Sequence, residues 1–217
     1  EKFSGKTHLV NIFLHKFKGI KIEADDITNE FLKKVKVFEN IVIENFNDKM
    51  HEESNKFWND DRIKKTKNIN LTKTQVISLA AIVQKETAKI EERAKVAGVY
   101  INRIKVGMLL QADPTVIYSK KLLDNNFDQQ INRVLYKDLK LDSPYNTYKY
   151  LGIPPGPIAM PDISSIDAVL NYEHHNYYYF VADITNFGYH NFAKNLAQHN
   201  RNKKEYVRWI SKQKVVR

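Results

Sequence analysis

Apolar residues recur at helical spacing most clearly between residues 71 and 107. In "LTKTQVISLAAIVQKETAKI", Val76, Leu79, Val83, Glu86 and Ile90 follow an i, i+3, i+7, i+10, i+14 series. A turn of 3.6 residues puts all five on one face. Thr72 suits the N-cap of this helix, with Gln75 three places on as its capping-box partner. The run "EERAKVAGVYINRIKVG" predicts a second helix that turns Val96, Val99 or Tyr100, and Ile104 inward, and ends on Gly107 as a left-handed cap. In "QADPTVIY", Asp113 reads as an N-cap and Pro114 as the first helical position. "SPYNTYKYLGIPPGPIAMP" holds five of the six prolines, a density that neither a helix nor a central strand tolerates, so it is an ordered loop. Asp162 or Ser164 would cap a short helix, "SIDAVLN". "YYYFVAD" is the best strand, Gly188 lies in the turn toward "YHNF", and "AKNLAQHNRNKKEYVRWISKQK" reads as an amphipathic basic helix. The order helices, loops, strand, hairpin, helix predicts the α+β class: a mixed helical and short-stranded catalytic domain.

Before residue 70 the pattern weakens. Phe46, Met50 and Phe57 mark a helix in "NFNDKMHEESNKFW", and "NDDRIKKTKNIN" reads as a polar connection. The change of texture predicts a small helical or mixed N-terminal appendage over 1–70 and a main domain over 71–217.

Composition narrows the class. At 42% hydrophobic and 28% charged over 217 residues, the chain is of ordinary globular type. No run approaches the roughly 18–20 apolar residues of a spanning helix, and the first residues lack a signal-peptide pattern, so the expectation is a soluble chain. With no cysteine, disulfides and thiolate metal sites are ruled out. A net charge of +10 points to an anionic partner. Its lysines are dispersed, however, and no RNP-like strand or zinc finger is present, so the charge reads as a solvated basic surface and nucleic acid is not expected. His174 and His175 are adjacent, which sends their side chains apart, and no H-x-x-x-H occurs; neither a metal nor a cofactor is expected. The absence of G-x-S-x-G leaves a serine nucleophile without a local signature, and "SGKT" lacks the first glycine of a P-loop.

Glu86 is the anomaly in the apolar stripe. A carboxyl group on a buried face is partly desolvated, which disfavours its charged form and suits it to donate a proton and take one back. Glycoside cleavage needs that ability at the leaving oxygen. Periodicity alone favours the plainer reading, that Glu86 ends its helix facing solvent, and Gln84 and Lys85 read as exposed.

Beyond these local signals, "IVQKET", "RAKVAGVYINRIKVGMLLQADPTVIY", "SPYNTYKYLGIPPGPIAMPDISSIDAVLN", "YYYFVAD" and "YHNFAKNLAQHN" occur in that order. Together they resemble the MltG (YceG-like) endolytic murein transglycosylase family, over about residues 71–202. The resemblance implies a bacterial enzyme that cuts nascent peptidoglycan strands between N-acetylmuramic acid and N-acetylglucosamine without water, leaving a 1,6-anhydro end. The family's catalytic glutamate, in an "IVEKET"-like motif, falls on Glu86; the first acidic position of that motif is Gln84 here, which leaves Glu86 as the acid within it. The implied partners are peptidoglycan strands and peptidoglycan synthases. The implied location is the extracytoplasmic side of the inner membrane, held by an N-terminal anchor that these residues do not contain. The proline-containing segment usual before the catalytic part is not readable in residues 1–70. A non-catalytic glycan-binding scaffold of the same architecture is the alternative.

Within the matching segments, residues suited to a polysaccharide groove are Gln111, Asn146 and Thr147 for hydrogen bonds, and Tyr118, Tyr145 and Tyr148 for packing on sugar faces. Core packing is the competing role for each tyrosine. Asp113 is either a helix cap or a carboxylate that stabilises a cationic transition state, or both. His190 and Phe192, with Asn191 between them, follow the turn after the strand, where a site edge is expected.

Overall fold

The computed structural model describes residues 29–212. The chain divides after Trp58 into two compact units. The first contains one long helix, α1 (Asn29–Phe57). It covers and extends the helix expected around Phe46, Met50 and Phe57, and it leaves Phe46 and Met50 exposed. The remaining elements belong to the second unit, and the mixture of helices with one small sheet is the expected α+β class.

The expected polar connection "NDDRIKKTKNIN" is instead a helix, α2 (Asp60–Asn68). Its stabilisation is terminal rather than periodic. The Asn59 side chain accepts from Arg62 N–H, Asp60 and Asp61 occupy the positive end, and Lys65 and Lys67 the negative end. Arg62 then anchors α2 by donating to the Asp167 carboxylate at 3.0 Å. The unit boundary therefore precedes the textural change at residue 70.

Three helices make the core: α3 (Lys73–Glu86), α4 (Ile90–Lys105) and α6 (Ile163–Leu170). The Thr72–Gln75 capping box forms reciprocally and starts α3. Val76, Leu79 and Val83 are fully buried, and so are Ala80, Ala81 and Ile82, so the middle of α3 is enclosed on every side. Val96, Val99 and Tyr100 of α4 and Val169 of α6 complete the core. Gly98 lets α4 approach the extended chain after α6. A Cβ there would overlap Glu173 O and lie 2.7 Å from His175 Nε2. Gly107, at φ +68°, follows the C-cap of α4 as expected. Asp162 caps α6 by accepting from Ser165 N–H, and Arg93, buried in α4, clamps the same carboxylate at 2.8 Å.

Against this core lie α5 (Asp113–Leu123), a single 3₁₀ turn (Asp138–Lys140) and the proline-rich loop, which carries no helix or strand. The sheet has two antiparallel strands, β1 (Tyr179–Ala182) and β2 (His190–Ala193), with Phe180 opposite Phe192 and Ala182 opposite His190. Gly188, at φ +87°, lies in the connecting turn. The basic amphipathic tail forms α7 (Leu196–Lys212), which packs on both strands.

Candidate active site

Glu86 is the last residue of α3. The helix stops there because Thr87 turns extended, at φ −136° and ψ 132°, and its hydroxyl accepts from Lys89 N–H. The apolar stripe ends with it: Ile90 opens α4 and is exposed. This helix end opens into a cleft of about 440 Å³ rather than into bulk solvent. It is lined by Glu86, Tyr100 and Arg103, by Leu110, Gln111, Asp113 and Tyr148, and by Tyr179, Phe180 and residues of α7.

The carboxyl group of Glu86 is held by one strong contact, the Tyr100 hydroxyl donating to Oε1 at 2.8 Å. Its pKa is raised from the ordinary 4.5 to about 7. Burial is the main cause. The Tyr100 hydrogen bond favours the ionised form and opposes the rise, the charge of Asp113 adds to it, and His190 and Arg103 oppose it more weakly. Tyr100 is itself driven well above the usual phenol range, first by burial and then by the neighbouring Glu86 charge. It therefore stays protonated and donates throughout the working range.

Arg103 is buried beneath the cleft. Its Nε donates to Tyr178 O at 2.6 Å and one terminal nitrogen to Leu110 O at 2.7 Å and Leu109 O at 3.3 Å, while the guanidinium lies over the Tyr179 ring. It ties α4 to the residue just before β1 and to the segment entering α5. Outside the cleft lining, Glu92 accepts from both the backbone N–H and the ring Nδ1 of His190, each at 2.8 Å. Burial resists ionisation of Glu92, yet the His190 contacts outweigh it and hold the carboxyl below its ordinary range.

Gln111, Asp113 and Tyr148, all expected from sequence, line the cleft with Glu86. The expected N-cap at Asp113 is corrected: Ala112 is the N-cap residue and Asp113 the first residue of α5. Its carboxylate is thus released from capping and accepts from the Tyr148 hydroxyl at 2.6 Å. Tyr148 is raised above the usual phenol range by burial first and this carboxylate second, so it too remains a donor.

Asn146 and Thr147 are buried, and their polar groups are engaged within the protein, which removes them from direct contact with a ligand. Asn146 donates to Leu139 O and Leu141 O and accepts from Tyr148 N–H. Thr147 Oγ1 accepts from Ala112 N–H at 3.0 Å and bonds Thr115 Oγ1 at 2.8 Å, while its carbonyl accepts from Gln111 N–H. Gln111 has φ +50°, a left-handed conformation that costs a non-glycine residue about 1 kcal/mol or more. The Thr147 network holds it there, beside Asp113. These two buried residues therefore position the cleft wall.

Tyr118 and Tyr145 pack with tilted rings, centroids 4.6 Å apart, with Phe127 against Tyr118, and neither lines the cleft. His190 reaches Glu86 only through its field. Phe192 packs behind Phe180, with ring centroids 6.0 Å apart, and Lys95 lies over its face. Gln84, expected to be exposed, is half-buried: its side-chain oxygen accepts from Asp162 N–H at 2.6 Å and from Ser165 Oγ at 3.2 Å, fastening α3 to the start of α6.

Sequence reasoning missed Arg103, Tyr179, Phe180 and the α7 wall of Leu196, His199, Asn200 and Lys203. A signal for Arg103 was present, since a charged residue three places after Tyr100 continues the buried face of α4. The strand residues carry none without knowing which face of the hairpin meets the cleft. Among the described residues no group of three His, Asp or Glu converges as metal ligands would.

A model of the YceG-like family matches residues 33–205. An endolytic murein transglycosylase of Bacillus subtilis (strain 168) is 41% identical over 133 residues, 61% of this chain and 34% of that protein. An endolytic murein transglycosylase of Streptococcus pneumoniae serotype 2 is 37% identical over 141 residues, 65% of this chain and 25% of that protein. This chain thus spans about a third of the first of these relatives and a quarter of the second. A crystal structure of a putative yceG-like protein from Listeria monocytogenes superposes with a TM-score of 0.55 at 31% identity, over 85% of this chain and 51% of that one.

Proposed function

The chain belongs to the YceG-like family, and from that premise we propose that it is the catalytic part of an endolytic murein transglycosylase with Glu86 as both acid and base. The names of its relatives support the reaction class. The observation that carries the role of Glu86 is a carboxyl group titrating near 7 in the lining of an open cleft, hydrogen-bonded by a buried phenol.

In its protonated form Glu86 gives its proton to the glycosidic oxygen as the bond to C1 of N-acetylmuramic acid breaks, releasing the N-acetylglucosamine hydroxyl. The Tyr100 hydrogen bond steadies the carboxylate that results. That carboxylate then takes the proton of the muramic C6 hydroxyl as its oxygen bonds to C1, which closes the 1,6-anhydro ring and restores the acid. Proton count and charge return to their starting values, and no water is consumed. A hydrolase of the two-carboxylate kind needs a second group to activate water. Asp113, tied to Tyr148, instead lends negative charge to the cleft: it favours protonation of Glu86 before the reaction and offsets positive charge developing at C1.

The same reading carries an extracytoplasmic location, nascent peptidoglycan as substrate and peptidoglycan synthases as partners. No described helix is long and apolar enough to cross a membrane, so under this reading an anchor lies outside the described residues. The test is digestion of uncrosslinked strands in water enriched in oxygen-18. Anhydro ends free of the heavy isotope are expected; labelled reducing ends would make the protein a hydrolase, and binding without any product would make it a scaffold.

A further inference from the structure

The α7 wall of the cleft has a chemistry that the acid–base mechanism does not use. Leu196, His199, Asn200 and Lys203 face the cleft together, the i, i+3, i+4, i+7 spacing that one helix face requires. Lys203 pairs with no carboxylate among the described residues, while Arg103, the other cation at the cleft, gives its Nε and one terminal nitrogen to backbone carbonyls. His199 stacks on Tyr179 at 5.2 Å, and its Nδ1 is shielded from solvent with no hydrogen-bond partner. Burial, with Lys203 and Arg103 adding, lowers the His199 pKa and keeps its ring neutral. α7 therefore brings a cation and an amide to a cleft that also holds the Asp113 carboxylate.

A cleft polarised in this way orients a ligand that is itself polarised. Of the two sugars in the proposed substrate, only muramic acid carries an acidic substituent, its lactyl ether, which ends either in a free carboxylate or in a stem peptide that bears carboxylates. We propose that α7 forms a carboxylate-recognising subsite, in which Lys203 pairs with the acidic substituent of the muramoyl residue while Asn200 bonds its neighbouring amide and hydroxyl groups. The proposal rests on the transglycosylase reading. It gives the site a direction: the muramoyl side of the scissile bond lies toward α7, so that the C6 hydroxyl of that sugar, and not of N-acetylglucosamine, comes to Glu86.

Two variants and three substrates test it. The substrates are uncrosslinked strands with stems, strands stripped of stems that keep the lactyl carboxylate, and stripped strands whose carboxylates have been converted to methylamides. Lys203→Ala is expected to raise KM about tenfold on carboxylate-bearing strands, the scale of one lost charge-assisted hydrogen bond. It should leave kcat within about twofold and leave the methylamide strands unaffected; Lys203→Arg should recover most of the loss. A rise on stripped strands identifies the lactyl carboxylate, and a rise confined to stem-bearing strands identifies the stem. Equal KM for native protein and Lys203→Ala on all three overturns the subsite. Binding of fluorescent strands to Glu86→Gln and to Glu86→Gln/Lys203→Ala reads the subsite without chemistry. A tenfold difference there with no product from native protein would sustain the subsite and sink the transglycosylase reading, and equal binding alongside normal product would do the reverse.

Discussion

Replacing Glu86 by glutamine should make the protein more stable, and by an amount that depends on pH. Glutamine keeps the shape of the side chain and an oxygen to accept from Tyr100, but it never ionises. In the native fold the carboxyl is moved from 4.5 to about 7, chiefly by burial. Below about pH 4.5 both the folded and unfolded chains hold the proton, and native protein and variant should be alike. Between 4.5 and 7 the unfolded chain gives up its proton while the fold retains it, so native stability falls relative to the variant. Above 7 the folded group ionises too and the difference levels off. At 1.36 kcal/mol per pKa unit the plateau is roughly 3 kcal/mol. For a domain of this size that corresponds to about 6–12 °C in Tm. The assay is thermal or urea denaturation of both proteins from pH 4 to 8.5. Other titrating groups are common to both, so the difference curve isolates Glu86. A difference that does not change across the range would refute the raised pKa and with it the reason for assigning Glu86 the proton.

Three further outcomes are expected. Tyr100→Phe removes the donor that favours ionised Glu86, so the alkaline limb of the pH–kcat profile should move to higher pH, and stability should fall by about 1 kcal/mol; an unmoved limb would deny the contact its role. Arg103→Met leaves Tyr178 O and Leu110 O without their buried donor and should cost about 3 kcal/mol in urea denaturation, whereas a loss under 1 kcal/mol would mean that water replaces it. Gly98→Ala should destabilise by about 2–4 kcal/mol despite the better helix propensity of alanine, because its Cβ meets Glu173 O; a neutral result in a melting experiment would show that the segment after α6 shifts freely.

The core helices were legible because their periodicity and caps act locally. Thr72 with Gln75, Gly107, and Asp162 ahead of α6 all stand where the sequence places them. Helix α2 was not legible, since it has almost no apolar stripe; its ends and the distant Asp167 hold it. In the site, the periodic position of Glu86 pointed to a buried face but left open whether the helix end met solvent. The answer depends on Tyr100, fourteen residues on, and on which side of the hairpin closes the cleft. Asn146 and Thr147 show the opposite limit. Their residue types suit sugar binding equally well as internal hydrogen bonding, and only their tertiary partners tell the two apart. Asp113 was legible as a helix-start residue, yet a shift of one position freed its carboxylate for Tyr148. The α7 wall was readable as an amphipathic helix, while its meeting with the cleft is a consequence of the strand packing.

The most direct test of the central claim is a digestion of purified, uncrosslinked peptidoglycan strands by native protein and by Glu86→Gln, read by mass spectrometry. Internal 1,6-anhydro-muramic ends made by the native protein and absent from the variant are the predicted result. Equal yields of those ends from both proteins would contradict it and would move the acid–base role to another residue of the cleft.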